Sequence, residues 1–211
     1  MGIVVAIDGP AASGKGTIGK AVAKHFFFSY LDTGLIYRAV AKLALDRTSG
    51  RLNDVIVIDI AKKFSVKNLQ LKGLRTTQIG AVASKIAEIK EVRDLLYDFQ
   101  KEFPKKYGDC VLDGRDIGTK IFPNAKVKLY IDAKLSIRAK RRFDELVKKS
   151  RETDLDKIMR DLRDRDFRDS NRKSAPLKIS EDAHLLDTSE LSIQTSIEKA
   201  IEIVRLKLSQ E

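Results

Sequence analysis

Twelve residues near the start, AIDGPAASGKGT at positions 6–17, combine a glycine-rich turn with a lysine directly after an apolar run. Gly9, Gly14, Lys15 and Gly16 spell GxxxxGKG, the phosphate-loop spacing with Gly16 where Ser or Thr is usual and Thr17 next. Such a loop wraps backbone N–H groups around a polyphosphate, and small residues (Gly9, Pro10, Ala11, Ala12, Ser13, Gly14) permit the close approach. The helix that follows adds its unpaired N-terminal donors. Lys15 is then expected at the outer phosphates, and Thr17, directly or through water, near the accompanying magnesium ion. A second cluster, CVLDGRD at 110–116, puts Asp113 at the end of a buried strand, suited to holding magnesium through water, and releases Arg115 and Asp116 into the loop beyond.

The elements that must position these groups follow from periodicity. Ile3 to Ile7 read as a strand, and Ile18, Ala21, Val22 and Phe26 recur at helical spacing after the loop. A second strand ends near Leu31 with Asp32 as its polar tip, and Thr33 and Gly34 open a helix carrying Ile36, Tyr37, Val40 and Ala44. Between there and Cys110 the patterns are helical, with a break near 88–90 and an N-cap at Thr76 or Thr77. KVKLYID at 126–132 alternates and is expected as a strand nearer the sheet's edge, and HLLDTS at 184–189 as the last short strand. From 150 to 172 charge dominates around one narrow apolar face of Leu155, Ile158, Met159 and Leu162, which suits a mobile cover. Strands alternating with helices imply a doubly wound α/β fold with a parallel sheet.

The chain's 211 residues carry 41 Lys and Arg against 30 Asp and Glu, a formal charge of +11. Nucleic acid is one partner such a balance suits. Residues 138–173, however, interleave 14 basic with 9 acidic side chains, a pattern that fits a pocket for a very anionic small ligand on a solvated helix, and aromatic–basic interleaving is missing. One cysteine, Cys110, forbids an intrachain disulfide, and the first apolar run stops short of a membrane span with no basic leader before it. A cytoplasmic protein is expected.

Nearly the whole chain resembles the bacterial cytidylate kinases, nucleoside monophosphate kinases that transfer a phosphoryl group from ATP to CMP or dCMP. The resemblance rests on IDGPAASGKGT, LDTGLIYR (31–38), LRTTQIGAVASKIA (74–87), VRDLL (92–96), LDGRDIGTKIFPNAKVKLYIDA (112–133), RDRDFRDSNRKSAPL (163–177) and LLDTSELSI (185–193). It implies a P-loop three-layer fold with an inserted monophosphate-binding subdomain and a short lid: core 1–36, monophosphate subdomain 37–90, core 91–145, lid 146–170, core 171–211. It further implies that Thr33, Arg38, Arg115 and Arg172 hold the acceptor phosphate, that Ser84, Arg93 and Asp116 read cytosine, and that Arg165 and Asp169 stand near the sugar hydroxyls. Lys15, Arg38, Arg115 and Arg172 would serve the transfer, with Mg2+ accompanying ATP and the protein a monomer. Nucleic acid and membrane are not expected partners; a uridylate- or shikimate-type kinase and a basic nucleic-acid-binding module are the alternatives. Between Phe64 and Leu74 there are nine residues, where many bacterial relatives carry a longer, strand-containing insert.

Overall fold

The structure, a computed structural model, describes residues 2–148 and 152–210; positions 149–151 of the expected lid lie outside the described residues. Five parallel strands, β1 (Val4–Asp8), β2 (Ser29–Asp32), β3 (Cys110–Gly114), β4 (Val127–Asp132) and β5 (His184–Asp187), form one sheet in the order β2-β3-β1-β4-β5. The helices are α1 (Lys15–Phe26), α2 (Thr33–Arg47), α3 (Asp54–Lys62), α4 (Thr77–Ile86), α5 (Lys90–Tyr107), α6 (Leu135–Val147), α7 (Leu155–Asn171) and α8 (Ile193–Leu208).

Because side chains alternate along a strand, β1 feeds two cores. Val4 and Ala6 pack with Leu112, Ile36, Val40, Val57 and Leu96 on the face covered by α2 to α5. Val5 and Ile7 pack with Ile18, Val22, Leu129, Ala200 and Val204 under α1 and α8. All five residues of β1 and of β3 are buried, as expected of strands covered on both faces. From β1 the chain turns through α1 to the β2–β3 side of the sheet and later crosses to β4 on the other. The strand order therefore reverses beside β1, and the crevice beyond its C-terminal end is where ligands bind in such sheets.

β4 corrects the expectation of an edge strand. It lies between β1 and β5, and the residue that made it look half-exposed, Lys128, is only 7% exposed. Its ammonium donates to the Pro123 carbonyl and to Asp182 at 2.8 Å, with Ser180 Oγ at 3.3 Å, so the charge is paired at the strand's starting end. The true edges are β2 and β5. The 67–73 stretch, unassigned by periodicity, contributes to a 3₁₀ turn at Val66–Gln70, and Thr76 is the N-cap of α4, accepting from the Ile79 N–H at 3.2 Å.

Candidate active site

The phosphate loop leaves β1 at Gly9, whose φ of +152° and a Cβ position only 2.1 Å from the Ile131 carbonyl oxygen exclude any side chain. It ends at Gly14, the left-handed N-cap of α1, with Ala12 also held at a positive φ of 61°. Backbone strain in a non-glycine residue there marks a loop fixed by its surroundings. Lys15 is buried and its Nζ donates to the Pro10 carbonyl at 3.1 Å. Burial first, and then the Arg115 guanidinium, push the ammonium down to about 7.

Asp113, one residue before the end of β3, and Asp32, the last residue of β2, stand opposite each other in register. Asp113 accepts a short hydrogen bond from the Tyr30 hydroxyl and lies beside Gly16. Burial, and next the nearby Asp32, raise its carboxyl to about 6. Thr33 Oγ1 donates to the Asp113 carbonyl at 2.7 Å, which joins the start of α2 to the end of β3. Asp113 thus faces the phosphate-loop helix. Thr17 does not: it is exposed on α1 and absent from the cleft lining, so of the two residues expected at magnesium only Asp113 faces the cleft.

Across the cleft stand two carboxylates, each gripped by arginines. Asp116 pairs with Arg93 of α5 and, at 3.3 Å, with Arg172 just beyond α7. Asp169 of α7 accepts from Arg115 Nε at 2.8 Å and from Ser84 of α4 at 3.4 Å, with Arg165 Nε 3.8 Å away. Burial works against the charges on Arg93 and Arg115, but Tyr37 and Asp116 beside the one and Asp169 beside the other outweigh it and raise both. Arg38 is held elsewhere in the same cleft: its Nη1 donates to the Leu74 carbonyl at 2.8 Å and the Thr76 carbonyl at 3.1 Å. Gly80 makes room for it, since a Cβ there would lie 2.6 Å from the guanidinium. Burial pushes both Arg38 and Arg165 down to about 10.

The cleft between these groups holds about 220 Å³. Lys15, Thr33, Arg38, Ser84, Arg93, Asp113, Arg115, Asp116, Arg165, Asp169 and Arg172 line it, with Ala11, Ala12 and Gly16 of the loop; Gly9, Pro10, Ser13 and Gly14 are not on the lining. With Arg75 and Asp32, also on this lining, seven cations stand against four carboxylates, which calls for a polyanion. Arg165 Nε is buried without a hydrogen-bond partner among the described residues, a donor that a ligand oxygen would satisfy.

The cytidylate kinase family profile matches residues 5–206. The chain belongs to the cytidylate kinase family. It is 47% identical to a cytidylate kinase of Bartonella bacilliformis over 95% of this chain and 94% of that one, and 45% identical to one of Cereibacter sphaeroides over 100% and 98%. An uncharacterized protein of Eubacterium ventriosum, 14% identical with 99% of each chain covered, superposes with a TM-score of 0.57, a likeness of fold alone. Membership in the cytidylate kinase family makes this chain an ATP-dependent phosphotransferase acting on CMP or dCMP.

Several groups of this cytidylate kinase site escaped the sequence reading. Tyr37 lines the cleft with its ring 5.7 Å from the Arg93 guanidinium, although its helical spacing marked it only as core. Arg75 lines it too, paired with Asp32 at 2.7 Å. Arg138, on α6, is buried and donates to the Ala11 carbonyl at 3.1 Å and to Asp166 of α7 at 2.6 Å, bracing the loop against that helix. Position within the LDTGLIYR and LRTT segments was the available signal for the first two. Nothing local distinguishes Arg138 from its charged neighbours.

Proposed function

We propose that the phosphate loop and Lys15 bind the ATP polyphosphate while the arginine–carboxylate wall opposite binds CMP, so that the γ-phosphoryl group passes between them. The observation carrying this reading is the buried Arg93–Asp116–Arg172 group opening into the same cleft as Lys15. Cytosine offers an exocyclic amine beside ring and carbonyl acceptors. Asp116 accepts from the amine, Arg93 donates to the acceptors and Ser84 completes the edge. Arg38, Arg115 and Thr33 hold the acceptor phosphate with Arg172, and Arg165 and Asp169 lie by the sugar.

In the transfer, a CMP phosphate oxygen attacks the γ-phosphorus and the bond to the β-phosphate oxygen breaks, leaving CDP and ADP. An acceptor already ionised needs no base. What the chain supplies is in-line positioning and neutralisation of spreading charge by Lys15 and the bidentate guanidinium forks. Magnesium, when bound, neutralises donor-phosphate charge. The donor set fits it: hydrated magnesium on phosphates asks for one or two carboxylates, and Asp113 with Asp32 opposite provides them.

The assignment extends to organisation. Residues 37–90 act as the monophosphate-binding subdomain and 146–170 as the lid between core segments 1–36, 91–145 and 171–211. The protein works as a cytoplasmic monomer on small nucleotides. Asp116→Ala tests the reading: the CMP-to-UMP ratio in kcat/KM should narrow by at least about tenfold, because an unmatched buried polar group is what discriminates the bases. ATP's KM should hardly move. An unchanged ratio in folded protein removes Asp116 from base recognition.

A further inference from the structure

Asp8 ends β1 one residue before the phosphate loop, yet its carboxylate turns away from that loop. Oδ1 accepts from the Ile117 N–H at 2.9 Å and Oδ2 from the Gly118 N–H at 2.7 Å, in a site only 5% exposed. Those two donors open the single turn Ile117–Ile121, whose N-cap is Asp116. An aspartate at an N-cap ordinarily accepts from the amides two or three residues on. Asp116 makes no such bond; its carboxylate is engaged with Arg93 and Arg172.

We infer that Asp8 is a positioning residue for the acceptor pocket: by taking over the capping of the 117–121 turn from the neighbouring strand, it frees the Asp116 carboxylate for the arginines and the base. This rests on the acceptor assignment above. It makes a residue adjoining the donor loop govern acceptor choice. The groups facing Asp8 are Asp116 and Arg115 from that loop, Tyr130 in register on β4, and the Lys128 stem beside Gly118, its ammonium tied to Asp182. Burial foremost raises the Asp8 carboxyl to about 7, against the pull of the two amides. Below that pH a proton on one oxygen removes half of the cap.

Asp8→Asn keeps the shape but sets an amide N–H₂ against one of the two donors. The KM for CMP should rise by about tenfold or more and the CMP-to-UMP ratio in kcat/KM should narrow, since an unmade buried hydrogen bond costs at least that factor. The KM for ATP should stay within about twofold, because the phosphate loop keeps its own bonds. The same ratio, in which the phosphate titration common to CMP and UMP cancels, should fall in the parent as pH drops through about 7 and stay flat in D8N. Gly118→Ala is the second variant, adding a methyl 3.4 Å from Asp8 Oδ2 and 3.1 Å from the Lys128 stem. It should reproduce the acceptor-side change in milder form, and decides the matter if D8N does not fold. Equal rises in both KM values, or an unchanged base ratio in folded D8N or G118A, overturn the inference. If D116A narrows the ratio while these variants do not, only the role of Asp8 falls; if D116A also leaves it unchanged, the acceptor assignment itself fails.

Discussion

A lysine enclosed by its own loop is poorly placed to keep a proton, and among the described residues Lys15 has the Pro10 carbonyl as its hydrogen-bond partner. Burial and Arg115 lower it to about 7, so Lys15 in the free enzyme should lose its proton on the alkaline side of that value. Bound ATP reverses the balance, because its phosphates favour the charged form. Binding of magnesium-bound ATP should therefore take up more protons at pH 8 than at pH 6, and Lys15→Ala should remove the uptake at pH 8, read by calorimetry in buffers of different ionisation enthalpy. No buffer dependence at pH 8 would mean that Lys15 keeps its proton throughout. Lys15→Ala should lower kcat by at least about a hundredfold with the fold intact, since an electrostatic donor in a preorganised site is commonly worth a few kcal/mol. Near-normal turnover would remove Lys15 from the transfer. This lysine was legible because glycine spacing, strand and helix all bear on one short stretch. Tyr30 was not: its bond to Asp113 joins residues 83 positions apart that only the β2–β3 register brings together.

At the scale of elements, legibility followed burial. Strands β1 and β3 stand out as short apolar runs, whereas the alternation in β4 suits a strand nearer the edge, and Lys128 is in fact buried and paired. The α7 helix makes the opposite case. Its charges suggested a cover with few anchors, but Ile158 and Leu162 are buried against Ala11, Ala139 and Leu146, in a small core joining α6, α7 and the phosphate loop. Arg138 adds the ion pair to Asp166 within the same joint. That cluster is separate from the two cores flanking the sheet, so its stability is expected to be local. Leu162→Ala should speed hydrogen exchange across 155–171 by at least about tenfold, equivalent to ~1.4 kcal/mol of easier opening, while cooperative unfolding of the sheet shifts far less. A loss of global stability as large as the local one would show α7 to be part of the main folding unit.

At the scale of the molecule, the surplus of positive charge was plain in the sequence but its destination was not. Long-range pairing is what gathers Lys15, Arg38, Arg75, Arg93, Arg115, Arg165 and Arg172 from six separated stretches onto one cleft. A nucleic-acid groove would spread such charge along an open track, and affinity would fall steeply with salt without regard to turnover. The nucleotide cleft proposed above would instead tie the charge to motion of the proposed lid. The α7 helix bears on α6, while Asp169 at its far end meets Arg115 and Ser84, and Arg168 reaches Ser84 at 3.5 Å and Glu88 at 4.0 Å. In this arrangement α7 crowds Arg165 and Arg172 against the other cations, and burial with that crowding depresses both. Phosphates of both nucleotides relieve the repulsion, and one nucleotide alone relieves only part of it. Hydrogen exchange over 152–170, the described part of the proposed lid, should accordingly slow more with a bisubstrate analogue than with ATP. Arg172→Ala should reduce that extra protection together with CMP-dependent turnover, because it removes one of the two arginines on Asp116. ATP hydrolysis without acceptor should remain slow in the parent, since water reaches the γ-phosphate only while the acceptor-side guanidiniums are unassembled around it. Equal protection with ATP and with the bisubstrate analogue would dissociate the lid from acceptor binding and leave Arg172 with the base pocket alone.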